Sequence, residues 1–181
     1  MSLYEIVLIG IGLGMDAFSV SICKGLAMKD MSWKKAIVVG LYFGTFQALM
    51  PILGFCIGIK FQKIIEGIGN WIAFAILSII GINMIRETNK AEVETINDSI
   101  NIKTMLILAL ATSIDALAVG ATFAILKYNI INATITIGII TFIMSLFGVK
   151  IGNVLGERVK DSAEKLGGAI LISIGVKLLI A

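Results

Sequence analysis

Histidine is absent from this chain of 181 residues, proline occurs once (Pro51) and cysteine twice (Cys23 and Cys56). Without imidazole there is no Ser–His nucleophile and no histidine-bearing zinc-hydrolase site, and a glycine-rich phosphate loop is missing too. The chain therefore reads as a non-enzyme. Cys23 falls at the end of the first apolar segment and Cys56 towards the far end of the second, which places them near opposite faces. A disulfide needs Cα atoms within about 7 Å, so none is expected and both read as small packing residues. Charge is scarce as well: 15% of residues are charged and 58% hydrophobic, with a mean hydropathy of +1.00. A soluble domain of this size cannot hide apolar segments so long and continuous.

Six segments remain once the polar stretches are set aside: 3–23, 36–58, 67–85, 104–126, 130–154 and 166–181. About 20 apolar residues at 1.5 Å each match a hydrocarbon core of about 30 Å. The expected fold class is thus an all-α integral membrane protein with six transmembrane helices. The first Lys or Arg is Lys24, so segment 3–23 lacks the basic leader of a signal peptide and reads as a retained helix. The polar stretch 86–103, rich in Glu, Asn and Lys, reads as a linker loop between residues 1–85 and 104–181.

With six spans, one side of the membrane carries Lys24, Lys29, Lys34, Lys35, Arg86, Lys90, Lys103, Arg158, Lys160 and Lys165. The other carries Lys60, Lys63 and Lys127, with Lys177 near the end of the last helix. This bias predicts that the first set faces the cytoplasm and that both termini lie outside. The lysines read as topology signals and not as a nucleic-acid surface, so the expected partners are the bilayer and a small substrate.

Asp16 and Asp115 each sit near the middle of an apolar segment, in the matching phrases Met15-Asp16-Ala17-Phe18-Ser19-Val20 and Ile114-Asp115-Ala116-Leu117-Ala118-Val119. A carboxylate at bilayer depth costs about 2.5 kcal/mol or more and persists where something there needs negative charge. The two phrases lie 99 positions apart, and Gly40, Gly54 and Gly58 are matched by Gly138, Gly152 and Gly156, each 98 positions on. Gly81 and Gly175 fall at comparable places after a small deletion. Three spans per half is an odd number, so the expected arrangement is two inverted three-helix repeats with a site near the midplane. The glycines also read as small-residue rows for close helix contact.

Around the aspartates come oxygen donors. Ser19 follows Asp16 by three residues and Thr112 precedes Asp115 by three, so each hydroxyl shares its aspartate's helix face. Gly10, Gly12 and Gly14 leave room for the first helix to loosen and offer carbonyls. Pro51 lacks an N–H and leaves the carbonyl of Gln47 without its helical partner, so one turn offers that carbonyl and the Gln47 side-chain oxygen. Ser145 stands opposite Gln47 in the repeat, with Met144 beside it. Two carboxylates with amide, hydroxyl and carbonyl oxygens suit a hard or borderline divalent cation, and a thioether from Met15 or Met50 tilts such a site towards Mn²⁺. The candidate metal set is therefore Asp16, Asp115, Gln47, Thr112, Ser19 and Met15, with Pro51 as the helix break.

Three stretches carry a family resemblance: Gly14-Met15-Asp16-Ala17-Phe18-Ser19 with Lys24-Gly25; Phe43-Gly44 with Phe46-Gln47 and Met50-Pro51; and Ala111-Thr112-Ser113-Ile114-Asp115-Ala116 with Ala118-Val119-Gly120. The chain resembles the MntP-type bacterial manganese efflux pumps, and the likeness extends through Gly69–Phe74 and Gly168–Gly175. The resemblance implies an inner-membrane, six-helix exporter of cytoplasmic Mn²⁺, with both aspartates essential and the metal as substrate, not cofactor. Some members carry an acid where this chain has Gln47, which leaves two intramembrane charges here instead of three. Lacking a nucleotide site, transport is expected to be secondary, with Asp16 and Asp115 exchanging metal for protons and the halves rocking against each other. The alternatives are a lysine-exporter-like efflux of a small cationic or amino-acid substrate, with Lys150 as the one midspan cation, and a membrane assembly protein that transports nothing.

Overall fold

The computed structural model describes residues 3–28, 31–61 and 102–155, together with positions 71, 74–76, 78–79, 82, 169, 172–173 and 176. Among the described residues there is no strand. In the described stretches 3–28, 31–61 and 102–155 five helices follow one another: α1 (Leu3–Ala27), α2 (Trp33–Phe61), α3 (Ile102–Ala111), α4 (Ile114–Ile125) and α5 (Ile130–Leu155). Three stretches, Leu3–Gly25, Trp33–Lys60 and Ile130–Val154, are long and apolar enough to cross a membrane, and α3 with α4 makes a fourth span if counted together. Leu41, Leu49, Leu53, Ile139, Ile143 and Phe147 are exposed, so α2 and α5 present apolar surface outwards as well as inwards. That is the pattern of helices solvated by lipid.

The expected spans change in detail. α1 continues four residues further, and α2 runs from Trp33 to Phe61 straight through Pro51. The expected span 104–126 is two helices, bent by 43° at Thr112–Ser113. The described positions in segments 67–85 and 166–181 are helical. The rest of those segments, with linker positions 86–101 and Gly81, Gly156 and Gly175, lies outside the described residues, while Ile102 and Lys103 at the end of the expected linker already belong to α3.

Neighbours in sequence are not neighbours in space. α1 packs along α5, α4 packs along α2, and α2 crosses α5, whereas α1 scarcely meets α2 and α4 scarcely meets α5. Glycines give the register. Gly10 faces Ile137, Gly14 faces Thr141 and Gly148 faces Phe18, so α1 and α5 run parallel. Gly54 faces Leu117 and Gly58 faces Ala124, which makes α2 and α4 parallel too. Gly40 against Phe142 and Gly44 against Gly138 set α2 antiparallel to α5. It follows that α1 and α4 run in opposite directions.

The closest approaches, at Gly25, Gly54, Gly120 and Gly152, are backbone to backbone. A Cβ on Gly25 would land on the carbonyl of Val149, on Gly152 on that of Ile22, on Gly54 on that of Leu117, and on Gly120 on that of Pro51. Such contacts bring Cα–H groups onto carbonyl oxygens and let helices touch without side chains between them. The α4–α5 turn is built differently. Lys127 adopts φ 58°, Tyr128 N donates to Phe123 O at 2.9 Å, and Lys127 N donates to Ala124 O at 3.1 Å. This is a Schellman closure, and the Phe123 and Tyr128 rings meet edge to face across it at 6.4 Å.

The glycine contacts set a measurable order. Gly54→Ala and Gly152→Ala each lose about 1–3 kcal/mol to overpacking against backbone, more than the ~1 kcal/mol alanine gains within a helix. Both therefore lower the melting temperature in detergent. Gly10→Ala meets the mobile tip of Ile140 at 2.9 Å and leaves the melting temperature close to that of the parent.

Candidate functional site

Among the described residues two apolar clusters fill the interior; α1, α2 and α5 each pass from one to the other, as α3 and α4 do when taken together. In α1 the first cluster takes Ile9, Leu13 and Met15 and the second begins at Ala17. In α2 the second cluster holds Ala36, Val39 and Phe43 and the first holds Met50. α3 gives Met105 and Ala109 to the second, and α4 gives Ala116, Val119 and Phe123 to the first. In α5 the change falls between Ile137 and Val149. What occupies these boundaries is polar: Asp16 in α1, Gln47 in α2, Thr112, Ser113 and Asp115 at the α3–α4 junction, and Thr141 and Ser145 in α5. At each change of cluster a polar residue thus stands between the two apolar groups.

Asp16 is half-buried on an unbroken helix. The expected loosening at Gly10–Gly14 does not occur, because Gly10 and Gly14 are where α5 packs. The nearby carbonyl of Leu13 is engaged: Gln47 Nε2 donates to it at 3.2 Å. That bond fixes Gln47 within a turn of Asp16, since Leu13 and Asp16 are three residues apart on one helix face. Gln47 is fully buried, and its Oε1 has no hydrogen-bond partner among the described residues. Four residues on, the Pro51 carbonyl abuts Gly120, and Gly54 abuts Leu117. One stretch of α2 therefore holds the Asp16 phrase at one end and the Asp115 phrase at the other.

The break before Asp115 is polar chemistry within the chain. Thr112 Oγ1 donates to Leu108 O (3.0 Å) and Ala109 O (3.3 Å), and Ser113 Oγ donates to Ala109 O (2.7 Å) and Leu110 O (3.1 Å). Leu108 O and Leu110 O also accept backbone N–H groups, from Thr112 at 2.9 Å and Ser113 at 3.2 Å, so the hydroxyls reinforce the last turn of α3 and add donors to the Ala109 carbonyl. Asp115 then stands in the first turn of α4, its Oδ1 accepting the N–H of Ala116 at 2.7 Å. A helix N-terminus favours a negative charge, so the bend stabilises the carboxylate. Thr112 thus caps the break. Ser19 is buried with no partner for its Oγ among the described residues, and Met15 packs in the same apolar cluster as Met50.

Sequence reasoning passed over Thr141, which is fully buried with a hydroxyl that has no partner among the described residues. A signal was available: Thr141 lies four residues before Ser145 and so shares its face. Lys150 is exposed, its Nζ 4.7 Å from the centre of the Trp33 ring, so its charge leaves these polar residues for the N-terminal end of α2. Lys24, counted above as a surface charge, is fully buried at the end of α1. Among the described residues no three acidic, Cys or His side chains converge. A cation among these polar residues must complete its shell with neutral oxygens.

A family model described as "Putative manganese efflux pump" matches residues 30–179. A protein named "Putative manganese efflux pump MntP" from Desulfitobacterium hafniense (strain Y51) is 55% identical over 176 residues, covering 97% of this chain and 93% of its own. One of the same name from Acetivibrio thermocellus is 52% identical over 180 residues, covering 99% and 91%. Another from Campylobacter jejuni (serotype O:23/36, strain 81-176) is 50% identical over 181 residues, covering 99% and 97%. No solved structure matches the chain.

The local bonding around the break gives a direct expectation. Replacing both hydroxyls, as Thr112→Val with Ser113→Ala, removes the caps at about 1 kcal/mol each and lowers the melting temperature in detergent. Thr122→Val, whose hydroxyl bonds only to Ala118 O within α4 at 3.1 Å, changes it by a smaller amount.

Proposed function

Since the chain belongs to the MntP-type family of manganese efflux pumps, we propose that it is a secondary transporter that exports Mn²⁺ from the cytoplasm on Asp16 and Asp115. The observation that carries this reading is that the residues between the two apolar clusters are polar, two aspartates and the Gln47 amide among them. Two carboxylates neutralise a divalent ion, and Gln47 Oε1 and the Ser19 hydroxyl are neutral oxygens to complete its shell. Thr112 acts mainly by holding the bend, and Met15 by packing.

The two halves, 1–85 and 104–181, act as inverted repeats. The opposite directions of α1 and α4 support this, as does the pairing of α1 with α5 and of α4 with α2. Because each half's first helix packs on the other half's second, rigid rocking of half against half would tear both seams. The moving units are instead the pairs α1–α5 and α4–α2, sliding at the α2–α5 crossing. The lysine distribution supports both termini outside a bacterial inner membrane.

Exporting two positive charges against a negative-inside potential costs about 4.6 kcal/mol per 100 mV. Exchange for two protons cancels that cost, so each aspartate releases a proton inward when metal binds and takes one from outside before the carrier resets. The amino-acid-exporter alternative needs a cation at mid-depth for the substrate's carboxylate, and Lys150 over Trp33 speaks against it.

In an exporter-deficient bacterium, this chain lowers cellular manganese, while Asp16→Asn and Asp115→Asn at matched membrane abundance do not. Equal manganese in all three strains removes Mn²⁺ as substrate. In proteoliposomes, Mn²⁺ flux rises when the opposing compartment is made acidic, and a flux indifferent to the pH gradient rules out proton exchange.

A further inference from the structure

We propose that Thr141 and Ser145 on α5 are oxygen donors to the transported cation. The inference rests on reading Asp16 and Asp115 as the ion site. A hydroxyl inside a helix ordinarily bonds back to a carbonyl three or four residues earlier, which satisfies it without outside help. Ser21, Thr122 and Thr134 do this, donating to Ala17 O (2.6 Å), Ala118 O (3.1 Å) and Ile131 O (3.0 Å). Thr141 and Ser145 are both fully buried, yet neither hydroxyl has a partner among the described residues. A buried hydroxyl left this way carries an uncompensated desolvation cost. Two of them one turn apart on one face point to something absent from the protein itself.

Their position agrees. Thr141 Oγ1 lies 3.3 Å from where a Cβ on Gly14 would be, so the missing side chain leaves room for the hydroxyl two residues before Asp16. A Cβ on Gly148, three residues beyond Ser145, would lie 2.9 Å from the Phe18 carbonyl oxygen. The parallel register of α1 and α5 thus sets Thr141 and Ser145 to either side of the level of Asp16. The chemistry agrees too. Asp16 and Asp115 already balance a divalent charge, so the remaining donors should be neutral, and hard hydroxyl oxygens bind such an ion without adding charge to the membrane interior.

The test uses the purified full chain, in detergent for Mn²⁺-dependent thermal stabilisation and in proteoliposomes with an enclosed Mn²⁺-sensitive dye for flux. Thr141→Val with Ser145→Ala keeps the packing and removes both oxygens. The half-saturating Mn²⁺ concentration is expected to rise roughly tenfold or more, with the metal-free melting temperature near that of the parent, while Thr141→Ser alone behaves like the parent. If the double variant misfolds, each single substitution is read the same way, with a smaller rise expected. A folded double variant with parental half-saturation and parental Mn²⁺ stabilisation overturns the inference, even where Asp16→Asn abolishes both. Parent protein with neither flux nor stabilisation by Mn²⁺ overturns the export reading and this inference with it.

Discussion

Contact between bare helix backbones, glycine against carbonyl, is the interaction on which the rest of this structure depends. In a bilayer, apolar side chains are as content against lipid as against protein, so hydrophobicity alone does not hold helices together. Close approach has to do it. Gly25 and Gly152 bring α1 and α5 together, and Gly54 and Gly120 do the same for α2 and α4. Each seam joins helices from opposite halves of the chain. The short α1–α2 and α4–α5 connections would have favoured pairing of sequence neighbours, and the glycines override them.

The gathering of polar residues follows from these seams. With α1 locked to α5 and α4 locked to α2, the helices bring their polar residues between the same two apolar clusters. Gln47 then reaches the Leu13 carbonyl, and Pro51 and Gly54 touch the Asp115 helix. The two aspartates are supported by different means. Asp16 rides on a continuous helix held by packing, whereas Asp115 sits at the start of a helix that two hydroxyls have interrupted. On the proposed reading, carboxylates matched in sequence but set in unequal backbones would give the ion two ligands of unequal stiffness. The more rigid one is the better candidate to define the binding level.

Electrostatics sets the remaining limit. A divalent ion with two carboxylates is neutral, and so are the same carboxylates with two protons, so either form crosses the membrane without net charge. A third acid in place of Gln47 would upset that balance unless it carried a proton of its own. The amide gives this chain a neutral oxygen and a donor that ties α2 to α1. Lys150 is drawn away to Trp33.

Much of this was legible in the residues alone. Continuous apolar runs mark α1, α2 and α5, because a helix solvated by lipid needs no pattern beyond length and hydropathy. The aspartate phrases announce themselves for the same reason, since charge in such surroundings is costly enough to need a purpose. Three features were decided only by tertiary structure. The break at Thr112–Ser113 was not legible, because both residues also fit an unbroken helix, and local hydroxyl bonds compete with the helix only weakly. The glycines before Asp16 pointed to a loosened helix, yet they serve contact, since a glycine's use depends on what lies opposite. Thr141 was missed for a related reason: whether a hydroxyl is satisfied by its own helix or left facing a site depends on the neighbouring helix. Sequence determined which segments enter the membrane and which residues bear its charge; the fold decided which segments touch, because in lipid that choice rests on shape at a few glycines.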